Sequence, residues 1–146
     1  MTMAIISKKQ CHMPSLKTQS VLIRSLYALC LAGAARNHVL IVAEHGWQWD
    51  YGGVVPFVAT FWTALTLLDP LAIVLLWLRP HAGLALTTAI IVSDVLINAG
   101  VGLRYGFDWR FFGAQALFML IVLATVGRAW QGLAVPVRSP VSAGQA

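Results

Sequence analysis

The chain reads as an all-α integral membrane protein: four transmembrane helices in an antiparallel up-down bundle, with both termini cytoplasmic. Three observations predict this. First, 59% of the 146 residues are hydrophobic and only 10% are charged, against about 25% charged in soluble domains. Second, four apolar runs, residues 20–43, 57–78, 82–103 and 111–130, each reach the roughly 20 residues of helix that cross a bilayer core. The runs are continuous rather than alternating with period two, which argues against a barrel. Third, the basic residues are unevenly placed. Lys8, Lys9, Lys17, Arg24, Arg79, Arg128 and Arg138 fall on one side of the spans, with Arg104 and Arg110 on the other. The positive-inside rule then puts both ends in the cytoplasm. The net charge of +5 is accounted for by orientation, and no nucleic-acid partner is expected. Tryptophans agree: Trp47, Trp49, Trp62 and Trp109 gather near the outer boundary and Trp77 and Trp130 near the inner one, as an aromatic belt requires.

Residues 1–19 are polar, contain Pro14 and are expected to form a cytoplasmic tail. The first apolar run is too long, and too polar at its far end, for a cleaved signal peptide, so it is read as retained. Residues 20–130 form one transmembrane domain. Residues 131–146, rich in proline and small residues, are expected to be a disordered cytoplasmic tail.

Span one is the least hydrophobic. Its Ala28, Ala32, Gly33, Ala34 and Ala35 predict a surface that another helix can approach closely. Arg24 can snorkel from the inner end. Arg36, followed by Asn37 and His38, lies roughly 12 Å below the outer end and cannot. Gly52, Gly53 and Pro56 mark the turn into span two, where Asp69 precedes Pro70. Proline removes the hydrogen bond to the Thr66 carbonyl and favours a kink. Span three places Thr87, Asp94 and Asn98 along one face, at steps of seven and four. Span four carries Gln115 as its single strongly polar group and is expected to close the bundle. The outer loops echo each other as WQWDYGG and YGFDWRFFG, an echo that composition alone can produce.

A charge at a helix centre costs about 2.5–3.5 kcal/mol on insertion scales, so intramembrane ionisable residues point to a site. Counted by depth, Arg36 and Asp94 fall within about one helical turn of each other, with Asn98 and Gln115 nearer the outside and Asp69 deeper. Arg36 stays charged and by depth pairs with Asp94. Asp69 is then left without a basic partner and must be neutral, or hold a cation or water. The expected binding set is Arg36, Asn37, His38, Asp69, Asp94, Asn98 and Gln115, in the outer half of the bundle. A minor alternative makes His38 a proton-relay member with Glu44.

Several classes are disfavoured. Cys11 and Cys30 have no CxxC or Cys/His spacing, so no disulfide framework or thiolate metal site is indicated. His38 and His45 lie about 10 Å apart along the axis, too far to share one metal. Histidines at matched depth on two spans are lacking, so no haem or other cofactor is expected. No nucleophile elbow, phosphate loop, HExxH or dinucleotide motif occurs, and the reading leans away from an enzyme. The expected function is binding or transport of a small polar molecule, proton or ion. The alternative is a non-catalytic membrane subunit or assembly factor using the same residues as an inter-helix lock, and a third possibility is an enzyme acting on a lipid-like substrate. The partners implied are the lipid bilayer, a small polar ligand and a homodimer or larger complex, since one four-span protomer is small for alternating access. The size and span number are those of small bacterial inner-membrane proteins, which is the expected location. Reporter fusions placed after Gln131 and within residues 45–56 should report opposite sides of the membrane; the same side from both would refute the span count.

Overall fold

The structure, a computed structural model, describes residues 14–134. They form four helices and, among the described residues, no strand: α1 (Leu16–His45), α2 (Pro56–Leu78), α3 (Pro80–Tyr105) and α4 (Trp109–Leu133). Each is long and apolar enough to cross a membrane.

Local chemistry explains the ends. Ser15 caps α1, its Oγ accepting from the Thr18 N–H at 3.2 Å, and Pro14 offers its carbonyl to Gln19 Nε2 at 2.8 Å. These two contacts start α1 at Leu16, ahead of the apolar run. Pro56 occupies the first turn of α2, where its missing N–H costs nothing. Pro80 likewise opens α3 and forces Arg79 out of helical geometry, at φ −139°. Asp108 caps α4 by accepting from the N–H groups of Arg110 and Phe111. α1 begins and α4 ends a few residues inside the expected tails, at Leu16 and Leu133. Most of both expected tails, residues 1–13 and 135–146, lies outside the described residues. Pro70 sits inside α2 without breaking it.

α1 packs against α2 and α4, and α3 packs against the same two, so the helices close a ring around a core that includes Tyr27, Leu31, Leu65, Leu76, Leu84 and Val122. Two glycines allow the tightest approaches. A Cβ on Gly83 would collide with the Leu76 backbone, and one on Gly132 would collide with the Leu16 carbonyl. These contacts pin α3 to α2 and α4 to α1 at one end of the ring.

Three side chains reinforce that end by donating to main-chain carbonyls of neighbouring helices. Ser20 Oγ donates to Ala129 at 2.7 Å, Tyr27 Oη to Val122 at 3.1 Å, and Arg24 Nη1 to Leu76 at 2.8 Å. Arg24 does not snorkel away. It is buried, with its guanidinium 5.2 Å from the Trp77 ring centroid. There it satisfies a carbonyl of the last turn of α2, where a cation also suits the helix dipole.

The outside of the ring is apolar: Leu29, Phe57, Leu67, Leu78, Leu103 and Leu120 are all exposed. In water such a surface would be far beyond what a monomer tolerates. In a bilayer it faces its natural solvent. Overpacking a tight contact costs about 1–3 kcal/mol. Gly83→Val should therefore lower the thermal unfolding midpoint in detergent, while Gly33→Ala, where a Cβ meets nothing within 4 Å, should leave it unchanged.

Candidate functional site

The inward stripe of α1 is Ser20, Arg24, Tyr27, Leu31, Ala35 and His38, spaced three and four apart as one helical face demands. On α2 the inward face carries Thr66, Asp69 and Ala72, and on α3 it carries Thr87, Ile90, Ile91 and Asp94. These faces converge on a cavity of about 360 Å³, within the roughly 300–1,000 Å³ typical of small-molecule pockets. Asn37, His38, Asp69, Asp94 and Gln115 supply its polar wall; Leu31, Leu65, Ile90, Ile91 and Phe118 supply much of the rest.

Asp69 is the least exposed of the described acidic and basic side chains, at 1% exposure. The His38 Nε2 atom lies 3.9 Å from Asp69 Oδ2, beyond hydrogen-bond length. Neither Asp69 oxygen has a protein partner, nor does His38 Nδ1. Thr66 Oγ1 and Thr87 Oγ1, also buried, are unpartnered too. Buried polar groups are overwhelmingly hydrogen-bonded, so the orphaned atoms of Asp69 and His38, both in the cavity wall, are a signature of something the site is built to receive.

Asp94 is held differently. Asn98 Nδ2 donates to Asp94 Oδ1 at 2.8 Å and to Gln115 Oε1 at 3.1 Å. It also lies 2.9 Å from the Asp94 carbonyl. One amide thus joins α3 to α4 and orients Asp94 toward the cavity. The face shared by Asp94 and Asn98 was legible in their spacing; the reach across to Gln115 was not.

The structure corrects four expectations. Arg36 does not pair with Asp94. It is exposed on the outer face of α1 and does not line the cavity. Ala35 and His38 hold the inward stripe, and Arg36 is rotated about 100° from Ala35. Asp69 has a basic neighbour after all, His38. Glu44 does not serve His38; it lies 3.9 Å from His45 Nε2. The small-residue run of α1 does not mediate close approach at Gly33, which borders open space and the cavity. The echo between the outer loops has a local cause: Asp50 Oδ1 accepts from Gly52 N–H at 3.1 Å, and Asp108 caps α4, so both are turn residues.

Among the described residues no group of three or more His, Cys, Asp or Glu side chains could hold a metal ion. Compared with known protein families, curated proteins and solved structures, the chain matches none. Its functional reading therefore rests on the site itself.

An unpartnered buried polar group costs about 1–3 kcal/mol, and replacing it with an apolar group of similar shape recovers much of that. Asp69→Leu should therefore raise the thermal unfolding midpoint of the purified protein. Asp94→Leu, which breaks the Asn98–Asp94 Oδ1 bond that helps hold the tie to Gln115, should lower it. A fall for Asp69→Leu as large as that for Asp94→Leu would make Asp69 a structural group.

Proposed function

We propose that the protein is a small-molecule-binding membrane protein of a bacterial inner membrane, with an up-down bundle, both termini cytoplasmic and its polar cavity in the outer half. The opposed order of contacts supports the bundle topology: Ser20 meets Ala129 while Tyr27 meets Val122, and Arg24 meets Leu76 while His38 meets Asp69. The distribution of basic residues supports the orientation.

One observation carries the functional reading: a carboxyl group 1% exposed, with both oxygens unpartnered, in the wall of a cavity of about 360 Å³. The cavity's size favours a molecule over a proton or bare ion. An ion site is a close cage of oxygens at about 2.0–2.6 Å, whereas this space corresponds to roughly a dozen waters at about 30 Å³ each. Its wall is mixed, polar on one flank and aliphatic or aromatic on the other, which suits an organic ligand. Binding within one protomer is the core of the proposal, and transport would require a second copy or partner.

The lock reading has one observation in its favour, the Asp94–Asn98–Gln115 chain between α3 and α4. It leaves Asp69 without a purpose. Native mass spectrometry on protein extracted from its own membrane separates the two. A bound small molecule retained by wild type and by Arg36→Ala, but reduced at least about tenfold in Asp69→Asn and Asp94→Asn, is the expected result; a hydrogen bond to a charged group is worth about 1.5–3 kcal/mol. Equal occupancy in all four proteins would take both aspartates out of ligand binding, and none in any would overturn binding itself; either result leaves the lock.

A further inference from the structure

Resting on that reading, we propose that the ligand is an amphiphile with a hydrogen-bond-donating, non-anionic head, an amine or hydroxyl, and that it reaches the cavity sideways from the lipid between α1 and α4.

The way in follows from which parts of the α1–α4 seam are closed. Toward one end it is sealed by Gly132 against the Leu16 carbonyl, by the Ser20–Ala129 bond and by Tyr27. The Tyr27 hydroxyl also shares a 2.8 Å hydrogen bond with Thr125 Oγ1. Beyond Tyr27 no further hydrogen bond joins these two helices among the described residues. There Gly33 on α1 and Phe111 and Ala114 on α4 both line the cavity and are exposed on the outer surface of the bundle. Together with the open space around Gly33, this marks a mouth in the seam. Small side chains at Gly33, Ala34 and Ala114 leave that mouth open.

The loop end is covered instead. A smaller space of about 170 Å³ continues from the cavity past Asn37, His38 and Asp94 and stops at Tyr51 and Trp62. Tyr51 is wedged between Trp49 and Trp62, with ring centroids 4.5 and 5.1 Å away, and Trp49 stacks on His45 at 3.9 Å. Tyr51 takes a left-handed backbone conformation, φ 52°, uncommon for a bulky side chain. Its hydroxyl lies 3.3 Å from Thr63 Oγ1. The aromatic loop thus crowds the outer end of the cavity, while small side chains leave its flank along the α1–α4 seam open.

The head chemistry follows from what the polar wall contains. It presents two carboxyl groups, the His38 ring and two amides, and no lysine or arginine lines it. An anionic head would meet two carboxyl groups with the His38 ring alone to offset them, a costly arrangement in a low-dielectric interior. A donor placed at Asp69 meets a carboxyl group whose oxygens accept no hydrogen bond among the described residues. The apolar body then lies along Leu31, Ile90, Ile91 and Phe118.

Cys30 lines this cavity and is a free thiol, which makes occupancy measurable. The protein is placed in lipid nanodiscs on a Cys11→Ser background, so that Cys30 is the single thiol. N-ethylmaleimide, which partitions into lipid, should label Cys30 at least about tenfold faster than a trimethylammonium thiosulfonate confined to water, even though the cationic reagent suits the acidic wall. Naphthylmethylamine should slow maleimide labelling several-fold and naphthoic acid should not. Asp69→Asn should abolish the protection without changing the unprotected rate. Ala114→Trp, at the mouth, should slow maleimide labelling while circular dichroism stays unchanged. Equal rates for the two thiol reagents would overturn lateral access. Protection by the acid equal to that by the amine, or protection by neither, would overturn the head chemistry. Both results leave the binding cavity standing. A Cys30 inert to both reagents in the folded protein, yet labelled after denaturation, would remove the cavity and with it the function proposed above.

Discussion

A carboxyl group set among hydrocarbon has two ways to exist: partnered inside the protein, or waiting for a partner that comes and goes. Nothing in a bilayer core can substitute for water at an unsatisfied polar atom. Asp69 is 1% exposed and accepts no hydrogen bond among the described residues, with His38 standing 3.9 Å away. Pro70 behind it removes a main-chain hydrogen bond to the Thr66 carbonyl, and Thr66 Oγ1 and Thr87 Oγ1 add two more orphaned oxygens. Polar need is therefore concentrated on the inner faces of α2 and α3. Evolution could have replaced these groups with aliphatic ones at no loss of stability.

The bundle divides its labour along its length. At one end, Ser20, Arg24 and Tyr27 donate to main-chain carbonyls of neighbouring helices, and Gly83 and Gly132 bring backbones together. Inter-helix hydrogen bonds in membranes are worth about 0.6–2 kcal/mol each, and the one from Arg24 to Leu76 acts where a helix end needs a cap. At the other end, polar groups meet through side chains: His38 near Asp69, and Asn98 between Asp94 and Gln115. Side-chain contacts of this kind can open and reform without disturbing a helix. The rigid end holds the ring so that the other can hold a cavity.

Much of the local structure was legible. Pro56 marks the turn into α2, and the apolar runs mark the helices within a few residues of the observed limits. Thr87 and Asp94 share the inward face their spacing predicts. The placement of Arg36 was misread because depth was used to pair residues and rotation was not. The stripe through Tyr27, Leu31, Ala35 and His38 was present in the spacing, and it places Arg36 off the inward face. Arg24 and Tyr27 were overlooked because a basic residue and a tyrosine near a membrane boundary ordinarily serve as anchors; their carbonyl partners belong to other helices and are far away in the sequence.

By itself the sequence determined the number of membrane-crossing helices, where each one starts and stops, and the height at which each polar group sits, because those follow from run length, caps and a rise of about 1.5 Å per residue. Only the tertiary structure decided which way each helix is turned. In a soluble bundle a hydrophobic stripe against a polar back sets that rotation. In this chain the back is as oily as the core, so the contrast is missing. Rotation was left to close contacts such as Gly83 on Leu76 and Gly132 on Leu16, and these send Asp69 and His38 inward and Arg36 out.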